Sequence, residues 1–198
     1  MSNINIKYKN VFVHIPKCAG TSMEKVYFVG GGGHSSLDVC SKDHRFDEDY
    51  LKWTFIRNPF DRIASAYFKH FNIPNSKNDI GIKNNSFKEF IINIEKFIPI
   101  DYHYSKDHYK VYDVKKYAPQ ILPIDYYILS DNTEMDFIGK VENIQEDWKK
   151  LCKLLGVKQV KLPHINKTSN KQKYQKLYDN EMKNVIEKTY KYEIKRFY

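Results

Sequence analysis

The first strong pattern along the chain is the run from Asn10 to Ile15, where Val11, Val13 and Ile15 alternate with Phe12 and His14. β-Branched residues at every second position with apolar neighbours predict a buried strand. Pro16 ends it, since proline has no N–H to give to a ladder. From Ser22 to Phe28 the spacing becomes helical, and Gly30 to Gly33 then open a loop. A second strand is predicted over Lys52–Arg57. It stops at Asn58-Pro59, where Asn58 can cap a helix and Pro59 can take its first position. That helix is expected to reach about Phe71, with Ile63, Tyr67 and His70 facing inward.

The polar segment IPNSKNDIGIKNN predicts a surface loop, and a helix begins near Ser86 with Phe87, Phe90, Ile91 and Ile94 on it. Pro99 to Pro123 is aromatic and irregular and gives no assignment, while short strands are expected near Tyr126–Leu129 and Met135–Gly139. Asn143 to Leu155 carries the clearest helical stripe, made of Ile144, Trp148, Leu151, Cys152 and Leu155. Gly156 suits the position just past its end. A last helix is predicted over about Asn180–Phe197, and no internal repeat is present. Two strand-to-helix turns separated by a crossover predict an α/β fold with a largely parallel sheet. A ligand should bind at the carboxyl ends of its strands.

Composition narrows this picture. The 198 residues, 41% of them hydrophobic and 15% aromatic, suit one domain spanning 1–198. A mean hydropathy of -0.65 and the lack of any apolar run of about 18 residues predict no membrane span. The opening MSNINIKYKN has no basic-then-apolar pattern, so a cytoplasmic location is expected. Cys18, Cys40 and Cys152 are widely spaced and form no CxxC pair, which suggests neither a disulfide framework nor a zinc site, and no metal is expected. The net charge of +9 favours anionic ligands without choosing among nucleic acid, acidic polysaccharide and nucleotide.

The chemistry concentrates in two motifs at the predicted strand ends. Strand, PKCAGTS and helix in succession aim backbone N–H groups and a helix dipole at an anion. Gly20 allows close backbone approach, Lys17 adds a charge, and Thr21 and Ser22 add hydroxyl donors. The segment is no Walker A loop, because Lys17 precedes the turn instead of preceding its hydroxyl residue. In the second motif, RNPFDRIASAY, Arg57 sits at a strand tip, and Asn58, Asp61 and Ser65 share one helical face. A second anion can be held between Arg57 and Ser65.

Together, VFVHIPKCAGTS and the later WTFIRNPFDRIASAYF resemble the PAPS-dependent carbohydrate sulfotransferase family that includes the heparan 2-O-sulfotransferase type, PAPS being 3′-phosphoadenosine 5′-phosphosulfate. The resemblance extends to DFIGKVENIQEDWKKLCKLLG and LPHINKTSNKQKYQKLYD and so covers most of the chain. It implies a three-layer, P-loop-like fold with a mainly parallel central sheet flanked by helices. It also implies PAPS as sulfuryl donor, PAP as product and a hydroxyl-bearing acceptor such as a glycan. By the same resemblance, Lys17, Cys18, Ala19, Gly20, Thr21 and Ser22 match the loop that binds the 5′-phosphosulfate, and Lys17 also assists catalysis. Arg57 and Ser65 match the pair that holds the 3′-phosphate, and Lys167, within NKTS, matches a segment that closes over the nucleotide. Cys18 stands where many relatives carry Thr and reads as a tolerated variant, because the loop would contribute backbone there; a thiol beside a helix N-terminus is also a candidate for reactivity.

An acceptor hydroxyl needs a base. His34 follows the glycine run, in a GHSSLDV segment similar to the one that carries the family's catalytic His. An imidazole titrating near neutrality is suited to the task. His14, on the buried strand, reads as a satisfied core residue, and Glu24 and His44 are weaker alternatives for the base. Read without the resemblance, the residues leave open a magnesium-dependent nucleotide kinase, with Asp61 or Asp136 as metal ligand, and a non-catalytic polyanion-binding module. No signature of specific nucleic-acid recognition is present.

Overall fold

The computed structural model describes residues 4–27, 33–71, 86–98, 119–163 and 174–198. In chain order they form β1 (Ile4–Asn5), β2 (Asn10–Phe12), α1 (Gly20–Tyr27), α2 (Leu37–Ser41), β3 (Leu51–Ile56) and α3 (Pro59–Ala66). Then follow α4 (Phe87–Ile92), α5 (Asp125–Ile128), β4 (Phe137–Lys140), α6 (Ile144–Leu154), α7 (Asn180–Thr189) and α8 (Lys191–Phe197). The chain divides into two compact units: Met1–Arg57 with Ile124–Lys167, and Asn58–Pro123 with Thr168–Tyr198.

The first unit is α/β. Its four strands run in the order β1-β2-β3-β4, with β2, β3 and β4 parallel and β1 antiparallel at the edge. Parallel strands covered on both faces are apolar at nearly every position, and β3 from Lys52 to Ile56 is buried throughout. Phe12 stacks on Trp53 with ring centroids 4.2 Å apart. Met23 of α1 and Trp148, Leu151 and Cys152 of α6 complete this core. Its polar groups have partners: Trp53 Nε1 donates to Asn10 Oδ1 at 3.0 Å and Thr54 Oγ1 to the Val13 carbonyl at 2.6 Å, which avoids the cost of a buried donor left unpaired.

Two sequence expectations change here. The first strand is shorter than Asn10–Ile15. Val13 N–H still donates to the Trp53 carbonyl, but Ile15 N–H turns back to the Val13 carbonyl at 3.1 Å, so the chain leaves the ladder before Pro16. The segment Tyr126–Leu129 is no strand but the end of a helical turn, α5, in which Tyr127 and Leu129 N–H groups donate to the Ile124 and Asp125 carbonyls. Its β-branched and aromatic residues instead bury Ile124, Tyr127 and Ile128 on one side, at steps of three and four. The predicted α6 stands as read, and Gly156 follows it with φ +64°, the left-handed conformation that ends helices.

The second unit is helical. Asn58 Oδ1 accepts the Phe60 N–H at 3.1 Å and Pro59 occupies the first turn of α3. The helix continues to Phe71 through a π-helical turn, Tyr67–Phe71. This wider turn brings Phe71 inward beside Ile63 and Tyr67, in place of the expected His70, which is only half-buried. Ser86 and Glu89 form a reciprocal cap on α4. The predicted last helix is divided at the buried Tyr190 into α7 and α8, where the phenol donates to the Ile121 carbonyl at 2.6 Å. Arg62 and Glu193 form a fully buried ion pair, Nη2 to Oε1 3.2 Å. Among the described residues no helix is long and apolar enough to cross a membrane.

Candidate functional site

The site lies in the first unit, where β2 and β3 end. Beyond β2 the chain turns through Pro16–Ala19 and enters α1 at Gly20. Lys17 and Ala19 have φ of 66° and 63°, whereas Cys18 between them does not share that conformation. A non-glycine residue pays about 1–2 kcal/mol to be left-handed, so two in one turn mark a backbone held in place by its surroundings. Alternation of this kind gathers successive N–H groups around a concavity fit for an anion. The first turn of α1 adds its own N–H groups and the positive end of its dipole.

Packing anchors the loop. Met23 and the Cys18 side chain are buried, and Ser22 N–H donates to the Ala19 carbonyl at 3.0 Å. Thr21 is exposed, Lys17 and Ala19 are half-buried, and Ser22 is buried. With Cys18 2% exposed, its thiol is out of reach of solutes, which removes the reactivity that its place beside a helix N-terminus suggests. Gly20 is needed for a reason the sequence does not reveal. A Cβ there would come within 2.2 Å of the His14 imidazole, so the ring fills the space a side chain would take. Arg57, at the tip of β3, reaches the same loop and donates from Nη1 to the Lys17 carbonyl at 3.2 Å.

His34 is brought to this loop as well. Its Nδ1 lies 3.0 Å from the His14 carbonyl oxygen, and since a carbonyl only accepts, Nδ1 carries the hydrogen and the neutral ring keeps its lone pair on Nε2. The residue as a whole is exposed, yet one edge of the ring meets His14, with centroids 4.5 Å apart at 72°. Its pKa is lowered from the ordinary imidazole value, first by loss of water and then by His14; Lys17 adds to this, while the hydrogen bond to the His14 carbonyl and the Glu24 carboxylate oppose it. His14 is indeed a buried, satisfied residue: its Nδ1 is 2.7 Å from Glu24 Oε1.

His44 is an exposed residue beside Asp43. Asp136 accepts the Lys52 backbone N–H at 2.7 Å and pairs with Lys52 Nζ at 3.1 Å, at the start of β3. Ser65 and Asp61 belong to the helical unit, both half-buried on α3. Lys167 lies outside the described residues. The structure therefore groups Lys17, Cys18, Ala19, Gly20, Thr21, Ser22, Arg57 and His34, and adds His14 and Glu24. The sequence reads His14 as a core residue and Glu24 as a weaker alternative for the base, but not their pairing, since a strand end meeting a helix leaves no period to detect.

Comparison with known proteins gives the chain's family. The model described as Sulfotransferase family matches residues 2–198, and the chain belongs to that family. It is similar to carbohydrate sulfotransferase 9 of Homo sapiens, with 23% identity over 202 residues that cover 80% of this chain and 42% of that protein. The chain thus spans less than half the length of this relative. No solved structure matches it significantly.

Proposed function

We propose that this member of the sulfotransferase family transfers a sulfuryl group from PAPS to a hydroxyl of a carbohydrate acceptor, with the PKCAGTS loop holding the donor and His34 as general base. The glycan class comes from the name of its relative. We further assign the chain a three-layer, P-loop-like architecture, to which its parallel β2, β3 and β4 are suited. The observation that carries the reading is the convergence on one loop of left-handed Lys17 and Ala19, the α1 N-terminus, Arg57 and His34.

These residues fit an anionic donor. The alternating backbone and the helix N-terminus offer N–H donors, and the Lys17 ammonium neutralises charge on the leaving phosphate. Arg57 and, by the resemblance, Ser65 are assigned to the 3′-phosphate; Lys167 is assigned to closure over the nucleotide. PAPS supplies the sulfuryl group, whose bond to the 5′-phosphate oxygen is exchanged for one to the acceptor oxygen. His34 receives the acceptor proton at Nε2, the nitrogen that its bond to the His14 carbonyl leaves basic. A lowered pKa keeps that nitrogen unprotonated at neutral pH, and general-base assistance of this kind is worth roughly 10²- to 10⁴-fold in rate.

Thermal unfolding with PAP, and separately with magnesium ATP, at two salt concentrations tests the reading. Ligand at about 100 times its Kd adds roughly 2.7 kcal/mol. A PAP shift larger than the ATP shift and retained at high salt is expected. A larger shift with magnesium ATP would favour a kinase, and one that vanishes with salt would favour non-specific polyanion binding.

A further inference from the structure

Buried His14 and half-buried Glu24 form a titratable pair to which the donor and base assignments give no task. His14 lies just past β2 and Glu24 one turn into α1, and their side chains meet at 2.7 Å. His14 is 7% exposed. A carboxylate accepts, so His14 Nδ1 donates and the tautomer is set, with the far side of the ring turned to Gly20. There a Cβ would fall 2.2 Å from both Nε2 and Cδ2. The ring also stacks on Phe12, centroids 5.4 Å apart at 16°, and its edge contact and backbone carbonyl both engage His34. One residue therefore touches the sheet core, α1, the loop glycine and the proposed base.

We infer that Glu24 and His14 are positioning residues: Glu24 clamps the His14 ring against Gly20, and His14 in turn seats both the donor loop and the His34 imidazole. Its consequence for catalysis rests on the sulfotransferase reading, although the clamp itself does not. The titratable and charged groups acting on His34 are His14 at the strand end, Glu24 on α1 and Lys17 in the loop. Of these, His14 lowers the His34 pKa most, so removing its imidazole should raise it.

Two measurements on the full chain test the clamp. The first is PAP affinity by calorimetry in Glu24→Ala and Glu24→Gln, both verified as folded by circular dichroism. Alanine should weaken PAP roughly ten-fold, by analogy with the loss of a hydrogen-bond partner that orients a metal ligand. Glutamine should restore most of the affinity, because its amide oxygen can still receive the Nδ1 hydrogen. The second is an NMR titration of the His34 ring, assigned with His34→Gln, in wild type and His14→Gln, where His34 should titrate at higher pH. Wild-type PAP affinity in Glu24→Ala, equal losses in both Glu24 variants, or an unmoved His34 titration would each overturn the inference. Failure of the wild type to bind PAP would sink the donor reading instead, and the His34 titration alone would then decide the clamp.

Discussion

In the helical unit the charged pair Arg62 and Glu193 is sealed from water, with Arg62 Nη1 donating to the Leu122 carbonyl at 2.9 Å and the guanidinium lying 5.4 Å from the Tyr190 ring centroid. In the sheet unit the polar groups gather where strands stop: Lys17, Arg57 and His34 keep contact with solvent around a backbone in left-handed turns. The first arrangement spends its polar groups on holding a fold together. The second holds strained backbone and half-buried charge open to a ligand, which is what a binding site needs and a core does not. Substitutions at the sealed Arg62–Glu193 pair and in the loop should therefore separate stability from binding.

The largest effect is expected in the helical unit. Arg62→Ala leaves the Glu193 carboxylate buried without its partner and should cost about 3–5 kcal/mol, read from urea denaturation. Replacing both residues, Arg62→Met with Glu193→Leu, should recover most of that loss, because apolar groups of similar size need no partner. A loss below about 1 kcal/mol in the single variant would mean that water reaches the pair.

Lys17→Ala should do the reverse. PAP affinity should drop on the order of a hundredfold, as when one charge-stabilising donor is removed. Stability should stay within about 0.5 kcal/mol, as at a site outside the core. Calorimetry and denaturation on the same sample decide it, and an equal loss in both would make Lys17 a structural residue. Gly20→Ala lies between the two. Glycine to alanine in a helix normally gains up to about 1 kcal/mol, but crowding against the His14 ring should reverse the sign and cost about 1–3 kcal/mol.

How much of this could be read from the chain depended on whether a feature is local. The strands at Val11 and Trp53, the cap at Asn58 and the α6 stripe of Trp148, Leu151 and Cys152 follow from spacing, and the structure places them as read. The PKCAGTS turn between strand and helix was legible because its residue types and flanking periods are contiguous. Composition misled at Tyr126–Leu129, since aromatic and β-branched residues serve a buried helical turn as well as a strand. The pairing of His14 with Glu24, the Arg57 bond to the Lys17 carbonyl and the seat of His34 on the His14 carbonyl join elements that no period connects. Left-handed Lys17 and Ala19 carry no glycine to announce them. The 99–118 stretch, which the sequence left unassigned, lies outside the described residues, as does Lys167.

A smaller effect returns to the helical unit. Asp179 accepts the Met182 N–H at 2.9 Å and caps α7, so Asp179→Ala should cost about 1 kcal/mol. Its exposed pairing with Lys88 should add little, and PAP affinity should not move. A binding change in this variant would mean that the α7 cap is more than a stability feature.

The smallest effect tests the sheet unit through pH. The His34 pKa is lowered in the folded protein by loss of water and by His14, so the unfolded chain takes up a proton there more readily than the folded one. The stability that neutral His34 contributes is fully present above the unfolded pKa, near 6.5, and is lost as pH falls through the lower folded value. His34→Gln should therefore lose less stability than wild type between pH 7.5 and 5.5, measured by urea midpoints at each pH. Because the ring keeps solvent on one side, the difference should be smaller than that for Asp179→Ala. If the two pH profiles coincide, the His34 ring is not desolvated by its seat on His14, and its place in the site confers no preference for the neutral form.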